Sequence, residues 1–121
     1  MTEKQATAAL LWAQERLGLE SWVIDVEWGG VPEWADQEAS GQTEAWSQSR
    51  VARLWVNVGE RSVAALDERF CKPKDRDLHT LFHELAHVAL FDAGSPADSV
   101  GEFFINTVAS LLVDSYSKRR A

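Results

Sequence analysis

A chain of 121 residues with 45% hydrophobic and 26% charged residues has the composition of a soluble globular protein and the length of one domain, residues 1–121. A formal charge of −7 argues against a broad phosphate-binding surface and so against nucleic acid as partner, and no apolar run has the length of a membrane span. One cysteine, Cys71, rules out an intramolecular disulfide and fits a reducing, cytoplasmic setting, and the N-terminus lacks the basic-then-apolar design of a signal peptide.

The first element, "TEKQATAALLWAQERLG", is an amphipathic helix. Thr2 and Gln5 can form a capping box, Ala6, Leu10, Ala13 and Leu17 share one face, and Gly18 suits the stop. "SWVIDVEW" then alternates, with Trp22, Ile24, Val26 and Trp28 on one side and Val23, Asp25 and Glu27 on the other, which is strand periodicity. Gly29, Gly30 and Pro32 break it, and a polar loop runs to about Gly41. Two further strands follow, "QTEAWS" and "RVARLWVNVG", joined as a hairpin through residues 47–50. "SVAALDERF" reads as a short helix started by Ser62, and Pro73 marks the loop after it.

The segment "DLHTLFHELAHVALFDAGS", residues 77–95, carries the chemistry. Leu78, Leu81, Phe82, Leu85 and Val88 complete an apolar helical stripe by themselves, with Asp75 or Asp77 as cap, so His83 and His87 are not needed for packing. Four residues apart, the two imidazoles lie one above the other on the helix and can grip one metal ion, with Glu84 beside it. His79, one turn earlier, is read as lying on the surface or behind a ligand, since a fourth protein ligand would close the site. Gly94 ends this helix, and Ser95, Pro96 and Asp98 start a last one over residues 96–118. The basic cluster Lys118, Arg119 and Arg120 suits a helix C-terminus. The layout is α+β, with helices on a small antiparallel sheet of about three strands.

A third ligand must come from Glu102, Asp92, Asp98, Cys71 or Asp114, because no histidine follows His87. Glu102 is favoured: it stands in the apolar setting "VGEFFIN", where an unpaired buried carboxylate is costly and zinc would pair it. Against this stands an acid placed at a helix edge by the dipole. Asn106, one turn on, could hold a histidine ligand's other ring nitrogen. The tryptophans, notably Trp28, Trp46 and Trp55, are assigned to core packing ahead of a cleft wall.

"TLFHELAHVA" resembles the active-site helix of zincin metallopeptidases. With Glu102 as third ligand the chain looks most like the gluzincins, and among them the minimal zincins of phages, prophages and mobile elements. The resemblance spans roughly residues 42–113. It implies Zn²⁺ on His83, His87 and Glu102, Glu84 as general base, a protein or peptide substrate, and an edge strand beside the cleft, read as Arg53 to Val58. Larger gluzincins add a His or Tyr that stabilises the tetrahedral intermediate; Tyr116, the single tyrosine, reads here as a packed helix residue. A zincin-like module that keeps its metal for binding or stability without hydrolysis is the alternative.

Overall fold

Thr2 starts the first helix as its residue types dictate. In the computed structural model, which describes residues 1–36, 39–58, 72–92 and 99–120, α1 spans Glu3–Arg16. The Gln5 amide donates to Thr2 Oγ1 at 3.1 Å and the Thr2 amide to Gln5 Oε1 at 2.8 Å, which closes the capping box. Gly18 takes the left-handed conformation (φ +71°) that ends the helix without a Cβ penalty. The buried Gln14 amide donates to Leu19 O at 2.8 Å and Trp22 O at 2.7 Å, fastening the end of α1 to the chain that enters the sheet.

The sheet has strands β1 (Val23–Trp28), β2 (Gly41–Trp46) and β3 (Val51–Val56), in the order β1-β3-β2. β2 and β3 form the expected hairpin, turning through residues 47–50 with Arg50 at φ +54°. β1 departs from expectation. It pairs with β3 in parallel, so the sheet is mixed and not wholly antiparallel. β3 is therefore the central strand, and the expectation that Arg53 to Val58 forms an edge is overturned. Its sequence explains the place: Ala52, Leu54, Trp55 and Val56 are fully buried, so β3 is covered on both faces, as a middle strand can be.

The connection from β1 to β2 passes over the outer face to reach the far side of β3. Trp55 Nε1 donates to Gly29 O at 3.2 Å, Arg53 stacks 4.3 Å from the Trp34 ring, and the Gln42 amide donates to Trp34 O at 3.2 Å. That covering buries Trp55, while Trp46 at the far end of β2 remains exposed, so the core assignment fits Trp55 and not Trp46.

The inner face, carrying Ile24, Val26, Ala52, Leu54, Val56 and Ala45, packs against α2 (Arg76–Asp92). A 3₁₀ turn at Pro73–Asp75 leads into α2 and leaves Asp75 immediately before its first residue. Leu78, Leu81, Phe82, Leu85 and Val88 form the buried stripe as expected. α3 (Ser99–Arg120) lies on α2, and Tyr116 packs edge-on to Phe82 with 6.0 Å between ring centroids and 5.0 Å from Trp12. The expected helix over residues 62–70, the Gly94 stop, the Ser95–Pro96 start, and the candidates Cys71 and Asp98 lie outside the described residues. Among those described, no helix is long and apolar enough to cross a membrane.

Candidate metal centre

Helical spacing puts His79, His83 and His87 on one side of α2, with the His83 and His87 rings 4.9 Å apart by centroid. α3 brings Glu102 against that ladder. Its carboxylate lies 3.0 Å (Oε1) from His87 Nε2 and 3.4 Å (Oε2) from His83 Nε2. Ligands at about 2.1 Å around a tetrahedral ion stand about 3.4 Å apart, so these three side chains already hold a spacing that zinc accepts.

Glu84 closes the other side. One ligand atom from each of His83, Glu84 and His87 lies within 4.8 Å of the others, so Glu84 also competes for the third position. Distance and partner distinguish the two acids. Glu84 Oε2 is 3.9 Å from His83 Nε2, and Oε1 accepts a 2.6 Å hydrogen bond from Thr43 Oγ1 on β2. Glu102 is closer to both imidazoles, whereas Glu84 stands back with one oxygen engaged. By distance, Glu102 is the acid that meets both imidazoles, and Glu84 lies beside them.

Exposure also separates the two acids. The Glu84 side chain is 9% exposed and that of Glu102 44%, so the cluster has a buried wall and an open side. Burial pushes the Glu84 carboxyl above its usual range, opposed by His83 and by the Thr43 hydrogen bond. Burial, then the charge of His83, holds His87 below its usual value, against the pull of Glu102.

Phe103 and Phe104 are 64% and 58% exposed, so Glu102 is not an acid buried among phenylalanines. What places it is the antiparallel return of α3 along α2.

Behind the cluster, His83 Nδ1 lies 2.8 Å from Asn106 Oδ1. An amide oxygen only accepts, so the tautomer that satisfies this contact carries its proton on Nδ1 and turns an Nε2 lone pair toward the two carboxylates. His79 is buried, hydrogen-bonded to the Asn106 backbone and 3.4 Å from Ser110 Oγ, so it supports this arrangement from behind and does not lie at the surface. The other candidates do not join the cluster: Asp92 is exposed at the last residue of α2, and Asp114 pairs with Lys118 at 3.0 Å.

No family model, curated protein or solved structure matches this chain. The site therefore rests on its own geometry.

Two contributors were missed from sequence, Thr43 and Gly41. Strand alternation puts both on the inward side of β2 with Ala45, and a hydroxyl on an apolar-facing position was the signal available.

Proposed function

We propose that this protein is a zinc-dependent metallopeptidase that hydrolyses a peptide bond of a protein or peptide substrate. The observation that carries the reading is the meeting of the His83 and His87 Nε2 atoms on the Glu102 carboxylate, with the buried Glu84 carboxylate alongside. His83, His87 and Glu102 would hold the ion, and Asn106 fixes the His83 ring for it. Bound there, zinc would supply Lewis acidity and a water of lowered pKa. Glu84 accepts the proton of the attacking water and then gives it to the departing amine. Its burial suits both steps, because a carboxyl pushed upward holds a proton more readily than an exposed one.

Metal analysis and one substitution test this. Protein prepared without chelator should carry about one zinc per chain. Glu84→Gln should keep that zinc while losing about two orders of magnitude in hydrolysis of a quenched-fluorescent peptide mixture. Less than about a tenth of an equivalent after reconstitution sinks the reading. One observation favours a second reading, a zinc-stabilised binding module without hydrolysis: Tyr116 is packed among Trp12 and Phe82 and does not serve the site as an oxyanion donor. Zinc-loaded protein that hydrolyses no peptide in the mixture, with Glu84→Gln indistinguishable from wild type, would decide for it.

A further inference from the structure

The two oxygens of Glu84 have different surroundings. Oε2 faces His83 Nε2 at 3.9 Å, while Oε1 lies 2.6 Å from Thr43 Oγ1. The same hydroxyl is 3.1 Å from the Glu84 carbonyl oxygen. A hydroxyl has one proton, and the shorter contact falls in the range of a hydroxyl donating to a carboxylate. Thr43 therefore holds Oε1 and leaves Oε2 turned toward the histidines.

The contact depends on how closely β2 lies against α2. A Cβ added at Gly41 would meet Trp55 O at 2.8 Å, Thr80 Cγ2 at 2.9 Å and Glu84 Cγ at 3.0 Å. Gly41 and Thr43 are two apart on one strand face, so the strand seats the Glu84 stem with the first and its carboxylate with the second. Such seating matters for a base, because the terminal torsion of a glutamate is broad and its carboxylate otherwise swings. A misplacement of about 1 Å can cost about a hundredfold in rate.

We propose that Thr43 is a positioning residue: its hydroxyl orients the Glu84 carboxylate so that Oε2 faces the reacting water. This rests on the reading of Glu84 as general base. Thr43 touches no proposed ligand of the ion, so its removal should separate base orientation from metal binding.

The test compares Thr43→Val, which keeps the shape and loses the hydroxyl, with Thr43→Ser, which keeps the hydroxyl and loses the methyl. Thr43→Ala replaces the valine variant should that one not fold. Three quantities are read: zinc affinity by chelator competition, hydrolysis of the peptide that wild type cleaves best, and binding of acetohydroxamic acid to zinc-loaded protein. The last probe chelates zinc and hydrogen-bonds to the adjacent base, so it reports carboxylate orientation without turnover, and it decides the matter if no peptide is cleaved.

Thr43→Val should lose about tenfold or more in kcat at unchanged KM and about tenfold in acetohydroxamate affinity, with zinc affinity within about twofold. Thr43→Ser should stay within about twofold of wild type throughout. A valine variant that matches wild type in both readouts overturns the inference. So does a serine variant as impaired as the valine one, which would assign the effect to the methyl group. Wild-type protein that takes up no zinc is a separate failure, seen before any Thr43 variant is compared, and it removes the peptidase reading and this inference together.

Discussion

Asn106 joins two histidines on α2: its side-chain oxygen accepts a hydrogen bond from His83 Nδ1 and its backbone bonds to His79. Removing the side chain leaves His83 free to turn. Asn106→Ala should therefore weaken zinc by about 10- to 100-fold. Glu102→Ala removes a proposed ligand and should weaken it more, while Asp92→Ala, at an exposed position, should leave it unchanged. Chelator competition on the three variants checks the order, and an unchanged Glu102→Ala would dismiss the ligand set. Proton linkage gives a second handle in metal-free protein. His79 and His87 are held below the ordinary 6.5 by burial, so at pH just under 6.5 the unfolded chain binds more protons and stability falls toward acid. Glu84 is pushed above the ordinary 4.5, so from 4.5 upward the folded state binds more protons and its contribution is lost as pH rises, opposing the histidines. Glu84→Gln removes that opposition. Its stability should drop more steeply than wild type between pH 6.5 and 4.5, measured by denaturant titration at several pH values. An equal slope would mean that Glu84 titrates as it does in the unfolded chain.

Among the elements, β2 carries more of the site than its modest sequence suggests. Among the described strands it lies at an edge of the sheet, is half-buried along most of its length, and holds its outward side with the Glu44–Arg53 ion pair at 2.7 Å. That pair is over a third exposed on the arginine side, so it is worth little to stability. The inward side is where β2 matters. Gly41→Ala forces a Cβ to within 3.0 Å of α2 and of the β3 backbone, and a carbonyl oxygen on a central strand cannot yield. The strand must move out, at a cost of about 1–3 kcal/mol. It should carry Thr43 off Glu84 as it goes. We expect a lowered denaturation midpoint together with reduced hydrolysis, and a variant as stable as wild type would show that β2 is not seated this closely.

At the scale of the molecule, α2 is wedged between the sheet, α1 and α3, so one helix carries both the core stripe and the histidine ladder. Leu54, fully buried on the central strand, tests the core alone: Leu54→Ala should cost about 2–5 kcal/mol. Zinc tests the site and the core together, because Glu102 and the histidines come from two helices that the ion would clamp. At a concentration about a hundredfold above its Kd, zinc should add roughly 2.7 kcal/mol, or about 10 °C in Tm, and chelator should reverse it. A Tm indifferent to zinc would count against a site spanning α2 and α3.

Local features were legible in the residues alone. The Thr2 and Gln5 box, the hairpin turn and the α2 stripe are set by residues within about one turn of each other, where propensity and periodicity act directly. The His83–Glu84–His87 spacing was legible for the same reason, since a helix fixes what lies four residues on. Long-range packing set the remainder. Whether β1 joins β3 in parallel, and hence which strand lies at the edge, depends on where a connection crosses, and alternation does not encode that. Glu102 reaches the histidines through helix pairing, not through the apolar burial its neighbours suggested. Thr43 lies 41 positions before Glu84, and the hydroxyl meets the carboxylate only because Gly41 lets a strand and a helix approach that closely.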